Sequence, residues 1–132
     1  MIKGINHIGM VVKSIDEALE FLKNAYGAEE VERRAFPEVG QVSCLVRIGN
    51  DNFELMEPLG EKGGVVAKFL AEKGEGFHHI SLISDNVDED CERLEKQGVV
   101  IFGKATVGNL KGAFTHPKTT KGVLYELTEF LK

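Results

Sequence analysis

Laid on itself with a shift of 72 residues, the chain repeats. His7-Ile8-Gly9-Met10-Val11 falls on His79-Ile80-Ser81-Leu82-Ile83, Ser14-Ile15-Asp16-Glu17 on Asn86-Val87-Asp88-Glu89, and Phe53-Glu54-Leu55 on Tyr125-Glu126-Leu127 without a gap. Two copies are too few for a solenoid, so the pattern reads as one module duplicated. Whatever one half forms, the other should form too. With 132 residues there is room for one domain of ordinary size. It divides into module one at about 1–60, a linker helix at about 61–75 and module two at about 76–132.

Each module has a readable order. Segments 4–12 and 77–84 are apolar and β-branched and read as strands. Ser14 with Glu17, and Asn86 with Glu89, stand as N-cap and N3 partner, which predicts helices near 15–25 and 87–97. Ile15, Ala18, Leu19 and Leu22 make an apolar stripe at helical spacing in the first, and Val87, Cys91 and Leu94 do so in the second. Gly27 and Gly98 are expected to end these helices. Extended segments follow at about 28–36, 41–49 and 52–58, then at about 99–103, 110–115 and 122–129, so each module reads β-α-β-β-β. Between them, Pro58 to Gly64 reads as a turn-rich link and Val65 to Glu72 as a short helix.

Composition removes several functions. Lys and Arg number 16 against 21 Asp and Glu, for a net charge of -5, which argues against a duplex nucleic-acid binder. With 42% hydrophobic and 28% charged residues the chain reads as globular rather than disordered. No run of 18 apolar residues and no charged, apolar leader is seen, so no membrane association and a cytoplasmic location are expected. Cys44 and Cys91 fit neither a disulfide framework nor a zinc-finger spacing, and are expected to be reduced and buried.

Residues two apart share a face of a strand, so His7 goes with Ile5 and Gly9, and His79 with Phe77 and Ser81. Glu54 shares its face with Met56, and Glu126 with Leu124 and Thr128. A lone strand histidine is most often structural, and a lone glutamate most often solvated. Here both recur at equivalent places in two diverged copies. If the modules pack about a pseudo-two-fold axis, His7, Glu54, His79 and Glu126 converge as a mixed N/O set suited to Ni, Co, Zn, Mn or Fe.

The residues resemble the vicinal oxygen chelate superfamily, the glyoxalase/bleomycin-resistance/dioxygenase fold, over essentially the whole chain. The resemblance is carried by Asn6-His7-Ile8-Gly9, by Glu54-Leu55-Met56-Glu57-Pro58-Leu59-Gly60, by His78-His79-Ile80, and by His116-Pro117-Lys118 leading to Gly122-Val123-Leu124-Tyr125-Glu126-Leu127. It implies an α+β fold, two pseudo-symmetric βαβββ modules forming a curled mixed sheet around a metal cleft. The ligand places match His7, Glu54, His79 and Glu126, holding one divalent ion per site, Co, Ni, Zn or Mn.

Within the superfamily the sequence looks most like the methylmalonyl-CoA epimerases, through its His-Pro-Lys turn. The glyoxalase I enzymes, which share the two-His, two-Glu set and act on thiol hemithioacetals, usually read Asp-Pro-Asp-Gly there. The implied substrate is an acyl-CoA or a thiol adduct, and the implied assembly a homodimer. Glu126 is the first candidate for the base that takes a proton α to a thioester, and Glu54 fills the opposite role by pseudo-symmetry. Some epimerases carry a further acid/base glutamate on the third strand, and alignment on Phe36-Pro37-Glu38 puts Ser43 there. Lys111, Lys118 and Lys121 offer positive charge to CoA phosphates, and His116 shapes a loop at the cleft mouth. His78, on the opposite face from His79, reads as structural. Gly60, Gly63 and Gly64 read as turn or hinge glycines, with no phosphate-cradling motif. A metal-free binding protein of this fold would have lost the four ligands. A ring-cleaving iron dioxygenase needs two His, one carboxylate and open positions.

Overall fold

The computed structural model describes residues 1–61 and 63–132; Lys62, inside the expected link, lies outside the described residues. In chain order the elements are β1 (Ile2–Val11), α1 (Ile15–Tyr26), β2 (Glu29–Phe36), β3 (Gln41–Ile48), β4 (Asp51–Pro58), α2 (Val65–Lys73), β5 (Gly76–Ser84), α3 (Val87–Lys96), β6 (Ile101–Val107), β7 (Leu110–Thr115) and β8 (Tyr125–Phe130). Short 3-10 turns cover Pro37–Val39 and Pro117–Thr119. Among the described residues no helix is long and apolar enough to cross a membrane.

The chain forms two compact units. The central unit is Ile8–His78, and the composite unit joins Met1–His7 to His79–Lys132. Strands run β2-β3-β4-β1 in the central unit and β5-β8-β7-β6 in the composite one. In each, one parallel pair adjoins antiparallel neighbours. β1 and β4 pair with Ile8 opposite Phe53 and Gly9 opposite Glu54, while β5 and β8 pair with Ile80 opposite Tyr125 and Ser81 opposite Glu126. Adding 72 to either member of the first set gives the second.

The helices start as their caps dictate. Ser14 Oγ accepts from the Glu17 N–H at 3.2 Å, and Asn86 Oδ1 from the Glu89 N–H at 3.0 Å, each satisfying a donor that the first turn leaves open. Gly27 ends α1 in the left-handed region at φ 71°, where a side chain would be strained. The expectation for Gly98 needs correcting by one residue. α3 is capped by Gln97, and Gly98, at φ 89°, makes the reversal just beyond it, with the Val99 N–H bonding to the Leu94 carbonyl.

Two strand boundaries also differ from expectation. β6 continues past Gly103 to Val107, because the pairing with β7 slips between Phe102 and Ala105 and the glycine, at φ 63°, absorbs a bulge. β8 begins at Tyr125 rather than near 122, since the Pro117 turn, Lys121 at φ 65° and Gly122 at φ 93° keep the chain out of extended geometry. At the link, a Cβ on Gly40 would lie 2.3 Å from the Gly63 carbonyl oxygen and one on Gly64 2.5 Å from that of Val39, so this backbone crossing requires both glycines.

In the central unit, Ile15 and Leu19 of α1 pack with Val12, Ala28, Cys44, Val46 and Leu55, while Val66 of α2 meets Val11 and Met56. In the composite unit, Val87 and Cys91 of α3 pack on Ala113 and Leu127. Both cysteines are free and buried, as expected. Burial pushes both thiols above the ordinary range, which keeps them protonated and poorly nucleophilic.

Candidate metal centre

The site is built on strands whose alternation aims polar groups to one face. In the composite unit His7 comes from β1, His79 from β5 and Glu126 from β8. His7 Nε2 and His79 Nε2 are 3.0 Å apart, with the rings edge to face at 84°. Glu126 Oε1 lies 3.7 Å from the first nitrogen and 4.0 Å from the second. Two ligands each about 2.1 Å from one ion stand roughly 3.0–3.4 Å apart at right to tetrahedral angles. The imidazole pair meets that spacing, and with the carboxylate it makes a donor set that fits a divalent ion. Burial is uneven: His79 is 4% exposed, whereas the Glu126 side chain keeps 23%. The carboxylate therefore has access that the histidine lacks.

The two carboxylate oxygens of Glu126 face different neighbours. Oε1 is the one facing the imidazoles, and Oε2 looks toward Gly112 on β7, where an added Cβ would sit 4.0 Å away. On the same face, Ser81 and Thr128 bury their hydroxyls in a mutual hydrogen bond of 2.9 Å. Asn6 Nδ2 donates to His7 Nδ1 at 3.1 Å.

In the central unit, Glu54 of β4 lies opposite Gly9, which is two residues beyond His7 on β1. This is the register place that Glu126 holds opposite Ser81. Ser43 of β3 is buried, pairs opposite Met56 and accepts a hydrogen bond from Gln41 Nε2 at 3.0 Å. Register and pleat thus put Ser43 on the face that carries Glu54. His78 turns instead to Phe69 of α2, ring to ring at 5.0 Å, and burial pushes its imidazole below the ordinary histidine range.

The family described as the Glyoxalase/Bleomycin resistance protein/Dioxygenase superfamily matches residues 6–114. The chain belongs to this superfamily. Human mitochondrial methylmalonyl-CoA epimerase is 31% identical over 128 residues, 95% of this chain and 73% of the human one. The crystal structure of methylmalonyl-CoA epimerase from Mycobacterium tuberculosis matches with a TM-score of 0.88 at 32% identity, over 99% of this chain and 90% of that one. A Streptomyces coelicolor methylmalonyl-CoA epimerase variant in complex with 2-nitronate-propionyl-CoA matches with a TM-score of 0.89 at 30% identity, over the full length of both chains. The expected α+β fold of paired βαβββ modules is the one these superfamily structures share.

Against that superfamily background the remaining sequence-derived residues fall in separate places. Lys111 on β7 is ion-paired with Asp88 of α3, which Lys104 also engages; the two ammonium groups hold the Asp88 carboxyl below its usual range. His116 closes its own turn, its Nδ1 accepting from the Lys118 N–H at 3.1 Å, and its backbone N–H donates to the Val100 carbonyl. Lys118 stands exposed in that turn.

Sequence reasoning missed the Ser81–Thr128 pair and the second role of the β4 and β8 ends. Glu57 Oε1 accepts from the Ile15 N–H and Glu129 Oε1 from the Val87 N–H, both at 2.8 Å, so each unit ties its helix start to its last strand. The signal was available, because Glu57 and Glu129 also coincide under the 72-residue shift.

Proposed function

We propose that this chain is a metal-dependent methylmalonyl-CoA epimerase. The observation that carries the reading is the His7, His79 and Glu126 donor cluster, in a chain whose relatives over nearly its whole length include epimerases of that thioester. In this reading Glu54 completes the ligand set, supported by its matching register place, and the ion is Co, Ni, Zn or Mn. Bound there, the ion would act as a Lewis acid toward the thioester oxygen and ease loss of the neighbouring proton.

The protein residues supply the proton traffic. Glu126 takes the C2 proton, as the carboxylate that keeps some exposure beside the two imidazoles. Inversion requires return on the other face, which falls to Glu54. Ser43 stands near that glutamate's face as a hydroxyl, able to hydrogen-bond substrate but too weakly acidic to replace a carboxylate. His116 and Lys118 border the substrate's arm, with Lys118 meeting phosphate. Lys111 reaches substrate only by leaving Asp88. The protein works in the cytoplasm, in keeping with two buried free thiols. It forms a homodimer, which would cover sheet edges such as β2 and β6, where Val31 and Val107 stand exposed.

Proton NMR of methylmalonyl-CoA in deuterated water, with Co(II)- or Ni(II)-loaded protein, tests the proposal. Rapid metal-dependent deuterium entry at C2, lost in Glu126→Gln, is expected. No exchange above the blank with metal confirmed bound would sink it and make the methylglyoxal-thiol hemithioacetal the next substrate.

A further inference from the structure

Resting on the epimerase reading above, we propose that Phe114 is the specificity-determining residue for the alkyl branch at C2 of the thioester, with Phe102 bracing its ring. In the composite unit, Ala113 and Thr115 of β7 are buried, and Ala113 packs with Leu127 of β8 and with Val87 and Cys91 of α3. Strand alternation then puts Phe114 and Glu126 on the opposite face, away from α3, where they stand directly across from each other. Phe102 of β6 lies across from Phe114 in turn. One row thus crosses three strands: Glu126, Phe114, Phe102. The two rings are stacked, with centroids 5.5 Å apart and planes at 23°, and His116, two residues beyond Phe114, meets Phe102 edge-on at 6.0 Å. Phe114 is half-buried and Phe102 is 43% exposed. The backbone makes room for the stack at Gly103, where a Cβ would come 3.0 Å from Phe114 Cδ2 and press on the ring.

The corresponding row in the central unit is of another kind. Across from Glu54 stands Leu45, and across from Leu45 stands the exposed Glu32. The two glutamates share a register place in the repeat, but only the row of Glu126 is aromatic. Substrate chemistry supplies the occupant of that row. C2 of methylmalonyl-CoA carries a proton, a carboxylate, the thioester carbonyl and a methyl group. The proton goes to Glu126, while the carboxylate and the carbonyl bear oxygens and belong with the polar donor cluster. The methyl is the one apolar substituent. Neighbouring strands stand about 4.8 Å apart, so a carbon within reach of Glu126 has the side chain of the next strand at van der Waals distance from its substituents. Phe114 is that side chain. Covering the methyl with a ring favours a branched acyl group over an unbranched one, because the apolar area leaves water only when the branch is present.

The test measures deuterium entry at C2 of methylmalonyl-CoA and of malonyl-CoA with Co(II)-loaded, full-length wild type, Phe114→Ala, Phe114→Leu and Phe102→Ala. Phe114→Ala should lower the methylmalonyl-to-malonyl ratio of kcat/KM by about 10-fold. A loss of folded protein scales both rates alike and leaves the ratio unchanged. Phe114→Leu, which keeps an apolar side chain, should recover part of the ratio, and Phe102→Ala should lower it less, by about 3-fold. A second readout needs no turnover. With Zn(II) and saturating methylmalonyl-CoA, the substrate methyl should show a nuclear Overhauser effect to aromatic ring protons in wild type, sharply reduced in Phe114→Leu. An unchanged ratio in Phe114→Ala, a larger effect from Phe102→Ala, or a ring contact of equal strength in Phe114→Leu overturns the proposal and leaves the epimerase reading standing. Wild type that exchanges neither substrate, with metal confirmed bound, overturns both.

Discussion

The two copies of the repeat agree where the backbone is tied down and differ where side chains fill space. Both keep the parallel pairing at the same offset, both cap the first helix through a side-chain oxygen three residues back, and both tie that helix to the last strand through a glutamate, Glu57 or Glu129. Their interiors have diverged. The central unit packs Val12, Ile15, Leu19 and Leu55 into an apolar cluster. In the composite unit, Ser84 and Asp90 stand at the places of Val12 and Ala18, with the fully buried Asp90 accepting from Ser84 Oγ at 2.6 Å and from Arg93. A helix start admits few geometries, whereas a volume can be filled by methyl groups or by a satisfied polar cluster.

The largest expected effect concerns the glutamates that both copies retain. Glu126→Gln and Glu54→Gln should each slow C2 deuterium exchange by roughly 10²–10⁴-fold at saturating metal. Full activity in Glu54→Gln alone would break the functional equivalence of the two copies.

Next comes the buried carboxylate. Asp90→Ala leaves Ser84 and Arg93 without their acceptor and removes an ion pair of the Met1 ammonium, and should cost about 2–4 kcal/mol in urea unfolding. The double variant Ser84→Val with Asp90→Ala, which installs the residues of the other copy, should lose clearly less. Equal losses would show that the two interiors are not alternative solutions to one packing problem.

Acid sharpens the same contrast. Burial alone would raise the Asp90 carboxyl, but the hydrogen bonds from Ser84, Arg93 and the N-terminal ammonium of Met1, with that ammonium's charge, outweigh it and hold the group below its usual range. A carboxylate depressed in the folded state contributes stability fully above its unfolded value near 4 and loses it as pH falls through the folded value. Wild type should therefore lose stability between about pH 5 and 2 more steeply than Asp90→Asn. Parallel profiles would refute the assignment.

The smallest effects should also be the most alike. Glu57→Ala and Glu129→Ala each remove one acceptor at a helix start and should cost about 1 kcal/mol, equal within error, in thermal melts.

Much of this was legible because duplication marks what to read. The caps at Ser14 and Asn86 located two helices, and the recurrence of His7 and Glu54 as His79 and Glu126 singled those four out as candidate ligands. The misread boundaries have local causes that residue type alone does not announce. Gly103 looked like a strand end and is a bulge inside β6, while the Pro117 turn and two left-handed residues delay β8. Ser84, Asp90 and Arg93 read as ordinary polar residues until α3 is laid on its sheet.

The sequence by itself determined the elements, their order and the equivalence of the two halves, because propensity, capping and strand alternation act over a few residues. Only the tertiary structure decided which groups meet. It joined Met1–His7 to the second copy, turned Oε1 of Glu126 toward two imidazoles and Oε2 toward a glycine, and gave Lys111 to Asp88. Those neighbours come from strand register and helix packing, which bring together residues as far apart in sequence as His7 and Glu126.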